Sequence, residues 1–200
     1  MGRMGLPFFY AVVFRGVFLG GFMAKESFAQ KIFKFLGMQQ QEPEQSNTAV
    51  EIYVPVTGTI VALKDVEDEA FSSEALGNGC AIDPSIGEVY APCDGVVSVV
   101  PDTLHAVGVT ADNGAEVLVH VGMNTVELKG KGYEMLVKED DRVKKGQLLL
   151  KFDIAAIKEA GYPIVTPVVV SNSYEYSSFE VVPAVGSSVK QGELLLKAEK

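Results

Sequence analysis

The chain has two histidines, His105 and His120, and the sequence between them predicts that they meet at one point. The tetrapeptide Ala-Asp-Asn-Gly at residues 111–114 lies between them and is flanked by β-rich sequence, which is typical of a hairpin turn. A hairpin that folds on this turn brings the two imidazoles together. We therefore expect a site in which both histidines take part in chemistry.

The length of the hairpin loop decides whether the two side chains share a face. A two-residue loop, at either 112–113 or 113–114, places His105 and His120 on the same face, directly opposite or diagonal. A three-residue loop places them on opposite faces, because side chains alternate along a strand. A shared histidine site therefore predicts a two-residue loop.

Phosphoryl transfer is the chemistry that the surroundings of His120 favour. His120 follows the apolar run Val-Leu-Val at 117–119, so we expect its imidazole in a depression where burial keeps it neutral and nucleophilic. A phosphoryl group also needs hydrogen-bond donors around its oxygens. His105, Thr103 and backbone N–H groups near Gly122 are candidate donors. Thr103 is expected on the face of His105, because side chains two apart on a strand share a face.

Other interpretations of the pair stay open on the residues alone. Each histidine is also typical of a hydrogen-bonded structural group in a strand. A zinc-dependent hydrolase would use two histidines and a carboxylate, but we find no third ligand, and Leu118 stands where a His-x-His pair needs its other histidine. A biotinyl or lipoyl carrier would need a lysine beside Met at a hairpin tip, where this chain has Asp-Asn-Gly. We expect no metal and no cofactor.

Composition narrows the class of partner. The 200 residues are 48% hydrophobic, enough to bury a sizeable core, and the net charge is −9. This acidic balance disfavours nucleic acid, which needs a basic surface, and suits a basic protein partner. Cys80 and Cys93 are interpreted as free thiols in a reducing cytosol.

Repeated segments predict an all-β fold. Residues 54–61 resemble residues 91–98, since each has Pro, then Gly, then β-branched residues. Residues 143–151 resemble residues 189–197, since each opens a strand after a Lys-x-Gly turn. We expect a compact antiparallel β-sandwich or barrel built from internally repeated β units.

The sequence predicts one short helix, from Asp153 to Ala160. Asp153 is a favourable N-cap, Gly161 is a favourable stop, and Pro163 prevents continuation.

The first 49 residues divide into three segments ahead of a domain at 50–200. Residues 1–22 are strongly apolar, and three interpretations stay open. The segment is an untranslated extension, because translation from Met23 would also give a typical soluble protein, or it is a membrane anchor or a secretory signal. Residues 23–38 form a predicted amphipathic helix. Its residues 25–36 either touch an anionic membrane surface or pack weakly on the body. Residues 39–49 are a polar linker.

Several separate motifs also occur in the order found in one known family. The strongest reads Leu-Val-His-Val-Gly-Met-Asn-Thr-Val-Glu-Leu-Lys-Gly at residues 118–130. The supporting segments are 65–71, 77–82, 103–106 and 166–169. On these residues the chain resembles the IIA domain of the glucose/sucrose branch of the bacterial phosphoenolpyruvate-dependent sugar phosphotransferase system, over residues 54–197.

This resemblance implies a cytoplasmic phosphotransferase component with a phosphohistidine intermediate. His120 would accept a phosphoryl group on Nε2 from the carrier protein HPr and pass it to a cysteine of a IIB domain of a sugar permease. His105 would hold the phosphoryl group, and Thr103 would order His105 by a hydrogen bond.

The resemblance also implies a rim that meets these partners. Asp68 matches an acidic rim position and Phe71 an apolar one. The family has a second rim acid where this chain has Asn124, so we expect partner association to be weakened or retuned. The apolar rim is altered at Pro101 and Leu118, where aromatic residues occur in the family.

Overall fold

The computed structural model describes residues 49–200. The predicted extension at 1–22, the amphipathic helix at 23–38 and nearly all of the linker at 39–49 lie outside the described residues. Within residues 49–200, none of the helices has the length and apolar character that crossing a bilayer requires.

Short antiparallel strands make up most of the described part of the chain, which confirms the predicted all-β class. The strands are β1 (Val50–Tyr53), β2 (Gly58–Val61), β3 (Asn78–Pro84), β4 (Glu88–Tyr90), β5 (Gly95–Val99), β6 (Ala106–Ala111), β7 (Glu116–His120), β8 (Tyr133–Met135), β9 (Arg142–Val143), β10 (Leu148–Phe152), β11 (Thr166–Val170), β12 (Ser178–Val181), β13 (Ser188–Val189) and β14 (Leu194–Glu199). The helices are α1 (Glu69–Ser72) and α2 (Ile154–Glu159), with 3-10 turns at Leu63–Asp65, Thr125–Leu128 and Ser173–Glu175.

The strands form one large sheet and two small ones. The large sheet has the order β13-β2-β3-β11-β7-β6-β5-β9, and the small sheets have the orders β1-β14-β12 and β4-β10-β8. Apolar side chains from all three sheets share one buried core, to which Val, Ile and Leu contribute most. The three sheets therefore enclose one main core, and such close packing holds the ends of the strands in fixed positions.

The large sheet consists of two similar halves, which confirms the predicted internal repeat. Its two outer strands, β13 and β9, end where the two Lys-x-Gly turns begin, and the strands next to them, β2 and β5, come from the two Pro-x-x-Gly segments. The predicted strands that follow the Lys-x-Gly turns are β14 and β10, the central strands of the two small sheets. The halves meet where β11 pairs with β7, with Val168 opposite Val119. The duplication therefore places β7, which ends at His120, in the middle of the sheet.

The glycines of the two repeats are required for different reasons. Gly95 begins β5, and a Cβ atom there would overlap the carbonyl oxygen of Thr110 on the neighbouring strand. Gly192 lies in the turn before β14 with φ +85, and a Cβ there would meet nothing within 4 Å. The first glycine permits a close approach of two backbones, and the second permits a left-handed turn.

The predicted helix is present as α2, and a second short helix was not predicted. The Asp153 carboxylate accepts a hydrogen bond from the Ala156 N–H at 3.0 Å, and Gly161, which follows the helix, has φ +88. Helix α1 has only four residues and no apolar periodicity, so its N-cap, Asp68, is the only sequence feature that indicates it.

The two glycine roles predict different costs of substitution. We expect Gly95→Ala to lower the free energy of unfolding by about 2 kcal/mol or more, because the added methyl group must displace the backbone of β6. Gly192→Asn is the matched control and should cost less than about 1 kcal/mol, because Asn tolerates left-handed backbone. Urea unfolding measures both values. Equal losses in the two variants would contradict the steric explanation.

Candidate active site

The hairpin that carries the histidines has a three-residue loop at 112–114, with Ala106 opposite His120. The predicted two-residue loop is therefore wrong. The rings of His105 and His120 nevertheless meet, with centroids 4.7 Å apart and planes at 76°. The prediction treated His105 as a strand residue, whereas β6 begins only at Ala106. Leu104 has φ +57, so the chain bends ahead of the strand and His105 does not follow the alternation of side chains.

Thr103 lies against His105, as expected, but for a different reason. Its Oγ1 is 2.7 Å from His105 Nδ1. Thr103 belongs to a turn rather than a strand, so the contact comes from the bend at Leu104 and not from strand periodicity. The hydroxyl fixes the orientation of the half-buried His105 ring.

His120 is held by a backbone carbonyl. Its Nδ1 lies 2.9 Å from the carbonyl oxygen of Gly122. A carbonyl oxygen only accepts hydrogen bonds, so Nδ1 carries the proton and donates it. The lone pair of the neutral ring is then on Nε2. One hydrogen bond, from Nδ1 to the Gly122 carbonyl, therefore makes Nε2 the nucleophilic atom of this half-buried ring.

Burial keeps this imidazole neutral. Desolvation, together with the neighbouring His105, lowers the pKa of His120 to about 4. The Gly122 carbonyl and the Asp68 carboxylate raise the pKa of His120, but the effect of burial is larger. Desolvation also lowers the pKa of His105 from its usual value. At neutral pH the site therefore consists of two uncharged rings, which a phosphate dianion can approach without first displacing a proton from the nucleophile.

An apolar cluster forms the floor under His120. The ring of Phe71 lies with its centroid 5.2 Å from that of His120 and is only 3% exposed. The cluster around it consists of Leu63, Val66, Phe71, Ala81, Met123 and Val169, with Leu118 packed against it. Because Phe71 is buried, little of its surface is left for contact with a partner, while its ring contacts the imidazole.

The two polar rim residues differ in how the fold uses them. The Asp68 carboxylate caps α1, with Oδ1 accepting hydrogen bonds from the Ala70 N–H at 2.9 Å and the Phe71 N–H at 3.3 Å. The cap holds Phe71 in place under His120 and keeps a negative charge beside the site. Asn124 is exposed, has φ +59 and makes no side-chain capping bond. A short polar side chain is among the few that tolerate this backbone conformation.

Sequence reasoning missed the groups behind His120. The carbonyl oxygen of Val121 accepts hydrogen bonds from the hydroxyls of Thr125 at 2.7 Å and Tyr133 at 3.1 Å. Neither these bonds nor the acceptor at Gly122 has a side-chain signature, because the acceptors belong to the backbone. The only available signal was the glycine itself, which has φ +75.

The zinc-hydrolase alternative lacks a ligand set in the described part of the chain. No group of three or more His, Cys, Asp or Glu side chains among residues 49–200 is arranged to hold a metal ion. The two histidines instead have partners that suit uncharged rings, namely a hydroxyl and a carbonyl oxygen.

Known proteins share both the sequence and the fold of this chain. Residues 50–176 match the family model described as phosphoenolpyruvate-dependent sugar phosphotransferase system, EIIA 1. The chain is 40% identical over 165 residues to the PTS system glucose-specific EIIA component of Halalkalibacterium halodurans, an alignment that covers 82% of this chain and 94% of that protein. Glucose permease IIA from Mycoplasma capricolum has a similar structure, with a TM-score of 0.69, 33% identity, and coverage of 76% of this chain and 96% of that one.

Some relatives are much longer. The PTS system beta-glucoside-specific EIIBCA component of Halalkalibacterium halodurans is 43% identical over 147 residues, which cover 74% of this chain but only 23% of that protein. The chain thus spans about a quarter of the length of such multidomain relatives. The family model and the full-length single-domain relatives agree, and the chain belongs to the EIIA 1 family of the phosphoenolpyruvate-dependent sugar phosphotransferase system.

Proposed function

We propose that this protein is a phosphocarrier in which His120 Nε2 accepts a phosphoryl group from phospho-HPr and passes it to a cysteine of a IIB domain. One observation carries the proposal: a neutral imidazole has Nδ1 bonded to a carbonyl, which leaves the Nε2 lone pair for attack. The second ring at 4.7 Å supplies a neighbour for the bound phosphoryl group.

Each of the two transfers exchanges one bond to phosphorus for another, and neither requires a nucleotide. In the first, the Nε2 lone pair attacks phosphorus, and the phosphorus–nitrogen bond of the donor breaks and returns its electron pair to the donor imidazole. In the second, a thiolate of the IIB domain attacks the same phosphorus, and the bond to His120 breaks and restores the Nε2 lone pair. Nδ1–H stays bonded to the Gly122 carbonyl throughout, so the positive charge of the N-phosphorylated ring is stabilised by an oxygen acceptor.

His105 acts as the donor that steadies the phosphoryl group. When the Thr103 hydroxyl donates to His105 Nδ1, the ring proton of His105 is on Nε2 and can bond a phosphoryl oxygen. Preorganised donors of this kind stabilise charge that develops on the transferred group. Thr103 is thereby a positioning residue for His105, and Phe71 is one for His120.

The family members suggest the partners. Multidomain relatives are named EIIBCA components, which supports a IIB domain as the acceptor. Single-domain relatives named EIIA components support a free-standing carrier, for which we propose the cytoplasm. The net charge of −9 and the Asp68 carboxylate suit basic partners, and the neutral Asn124 reduces this attraction. The membrane contact of residues 25–36 stays a prediction.

The first prediction tests the nucleophile. On incubation with phosphoenolpyruvate, Enzyme I and HPr, the wild-type protein should acquire an acid-labile, base-stable phosphate, and His120→Ala should acquire none. His105→Ala is the control, because it keeps the nucleophile and should still be labelled. Label that survives in His120→Ala would refute the assignment.

The second prediction separates acceptance from onward transfer. Phosphorylated His105→Ala should pass its phosphoryl group to a IIB domain about 10²-fold more slowly than wild type, since one preorganised donor is missing. Thr103→Val should slow this step less, by about three- to tenfold, because it removes one neutral hydrogen bond that acts through His105. Rapid-quench measurement of labelled IIB gives both rates. Wild-type rates in His105→Ala would rule out its helper role.

The third prediction concerns protonation. In an NMR titration, the ring resonances of His120 should change with a midpoint near pH 4, because burial opposes the charged form. The unfolded chain binds this proton near its ordinary pKa of 6.5, so the free energy of unfolding should fall as the pH drops from about 6.5 towards 4. A midpoint at 6.5 would contradict the buried, neutral site.

A further inference from the structure

Val121 connects the two histidines through its own backbone. Its N–H donates to the His105 carbonyl oxygen at 2.7 Å. Its carbonyl oxygen accepts from Thr125 Oγ1 at 2.7 Å and from Tyr133 Oη at 3.1 Å. A carbonyl oxygen has two lone pairs, so these two hydroxyls satisfy it completely.

The same peptide group fixes one end of the turn at Gly122, whose own carbonyl belongs to the next peptide unit. The Val121 carbonyl and the Gly122 N–H belong to one planar unit, so fixing the first fixes the second. From that plane the chain turns at Gly122 with φ +75, and the Gly122 carbonyl then meets His120 Nδ1. On the far side, the Met123 N–H donates to the Pro163 carbonyl at 3.0 Å. Both ends of the turn are therefore tied to other parts of the fold.

The hydroxyl of Tyr133 is separable from its ring. The ring is 9% exposed and packs in the main core, where a phenylalanine ring would fill nearly the same volume. Its phenol stays protonated, because burial raises the pKa of Tyr133 above its usual value. A buried donor without an acceptor is costly, so the bond to Val121 is the favourable state of this hydroxyl.

We propose that the Tyr133 hydroxyl, together with the Thr125 hydroxyl, is a positioning group for the nucleophile. By holding the Val121–Gly122 peptide plane, it keeps the Gly122 carbonyl on His120 Nδ1 and the Nε2 lone pair directed at the incoming phosphorus. The kinetic part of this inference rests on the phosphocarrier function, whereas the structural part concerns the unphosphorylated protein alone.

The test compares two conservative variants. Tyr133→Phe removes the positioning hydroxyl, and Tyr176→Phe is the matched control, because the Tyr176 hydroxyl is buried and makes no hydrogen bond within residues 49–200. The first readout is solvent exchange of the His120 Nδ1 proton, followed by nitrogen-15 NMR. We expect about three- to tenfold faster exchange in Tyr133→Phe than in wild type, which is the scale of one neutral hydrogen bond, and no change in Tyr176→Phe.

The second readout is phosphoryl transfer. Tyr133→Phe should accept phosphate from phospho-HPr about three- to tenfold more slowly at saturating donor, with an unchanged KM, because the donor does not touch this residue. Thr125→Val should behave similarly, and Thr125→Ser, which keeps the hydroxyl, should recover most of the rate. Urea unfolding of each variant confirms that it is folded.

The outcomes separate this inference from the proposed function. If exchange of the Nδ1 proton and the transfer rate in Tyr133→Phe equal those in Tyr176→Phe, the positioning role is refuted. If wild type itself is never labelled on His120, the phosphocarrier function fails, and faster proton exchange in Tyr133→Phe would still support the positioning role.

Discussion

The site depends on the hydrogen bond from His120 Nδ1 to the Gly122 carbonyl oxygen. Imidazole has two chemically similar nitrogens, and without a fixed acceptor either can carry the proton. The bond assigns one tautomer and one ring orientation, and burial then removes the charged form. The tilted Phe71 ring beneath and the Val121 network behind preserve this single hydrogen bond under the fluctuations of a half-buried side chain.

The duplicated fold explains why only one such site is present in the large sheet. The repeats match Gly58 with Gly95, and the strand registers of the two halves then match Val169 of β11 with His120 of β7. Val169 is completely buried in the apolar cluster around Phe71. One half thus provides the nucleophile, and the same position in the other half provides part of the floor on which it rests.

Patterns with a strong local cause could be predicted from the sequence. The repeats predicted strands β2, β5, β10 and β14, and Asp153 and Gly161 predicted α2, because turns, caps and alternation are determined by neighbouring residues. The meeting of the two rings across a three-residue loop could not be predicted, since it depends on the left-handed conformation of Leu104, and leucine rarely adopts that conformation. The backbone acceptors at Val121 and Gly122 were missed for a similar reason, because every residue has a carbonyl and only tertiary structure decides which of them meets a side chain.

The low basicity of His120 affects the release of the phosphoryl group as well as its acceptance. In the proposed relay the imidazole is a nucleophile in one step and the leaving group in the next. A ring that burial makes reluctant to hold a proton should likewise release an electrophile readily. The same desolvation that costs some reactivity towards the donor therefore lowers the barrier to unloading. In such a carrier the phosphorylated form is only moderately stable. It lasts long enough for the partner proteins to exchange, and it still gives up the phosphoryl group readily.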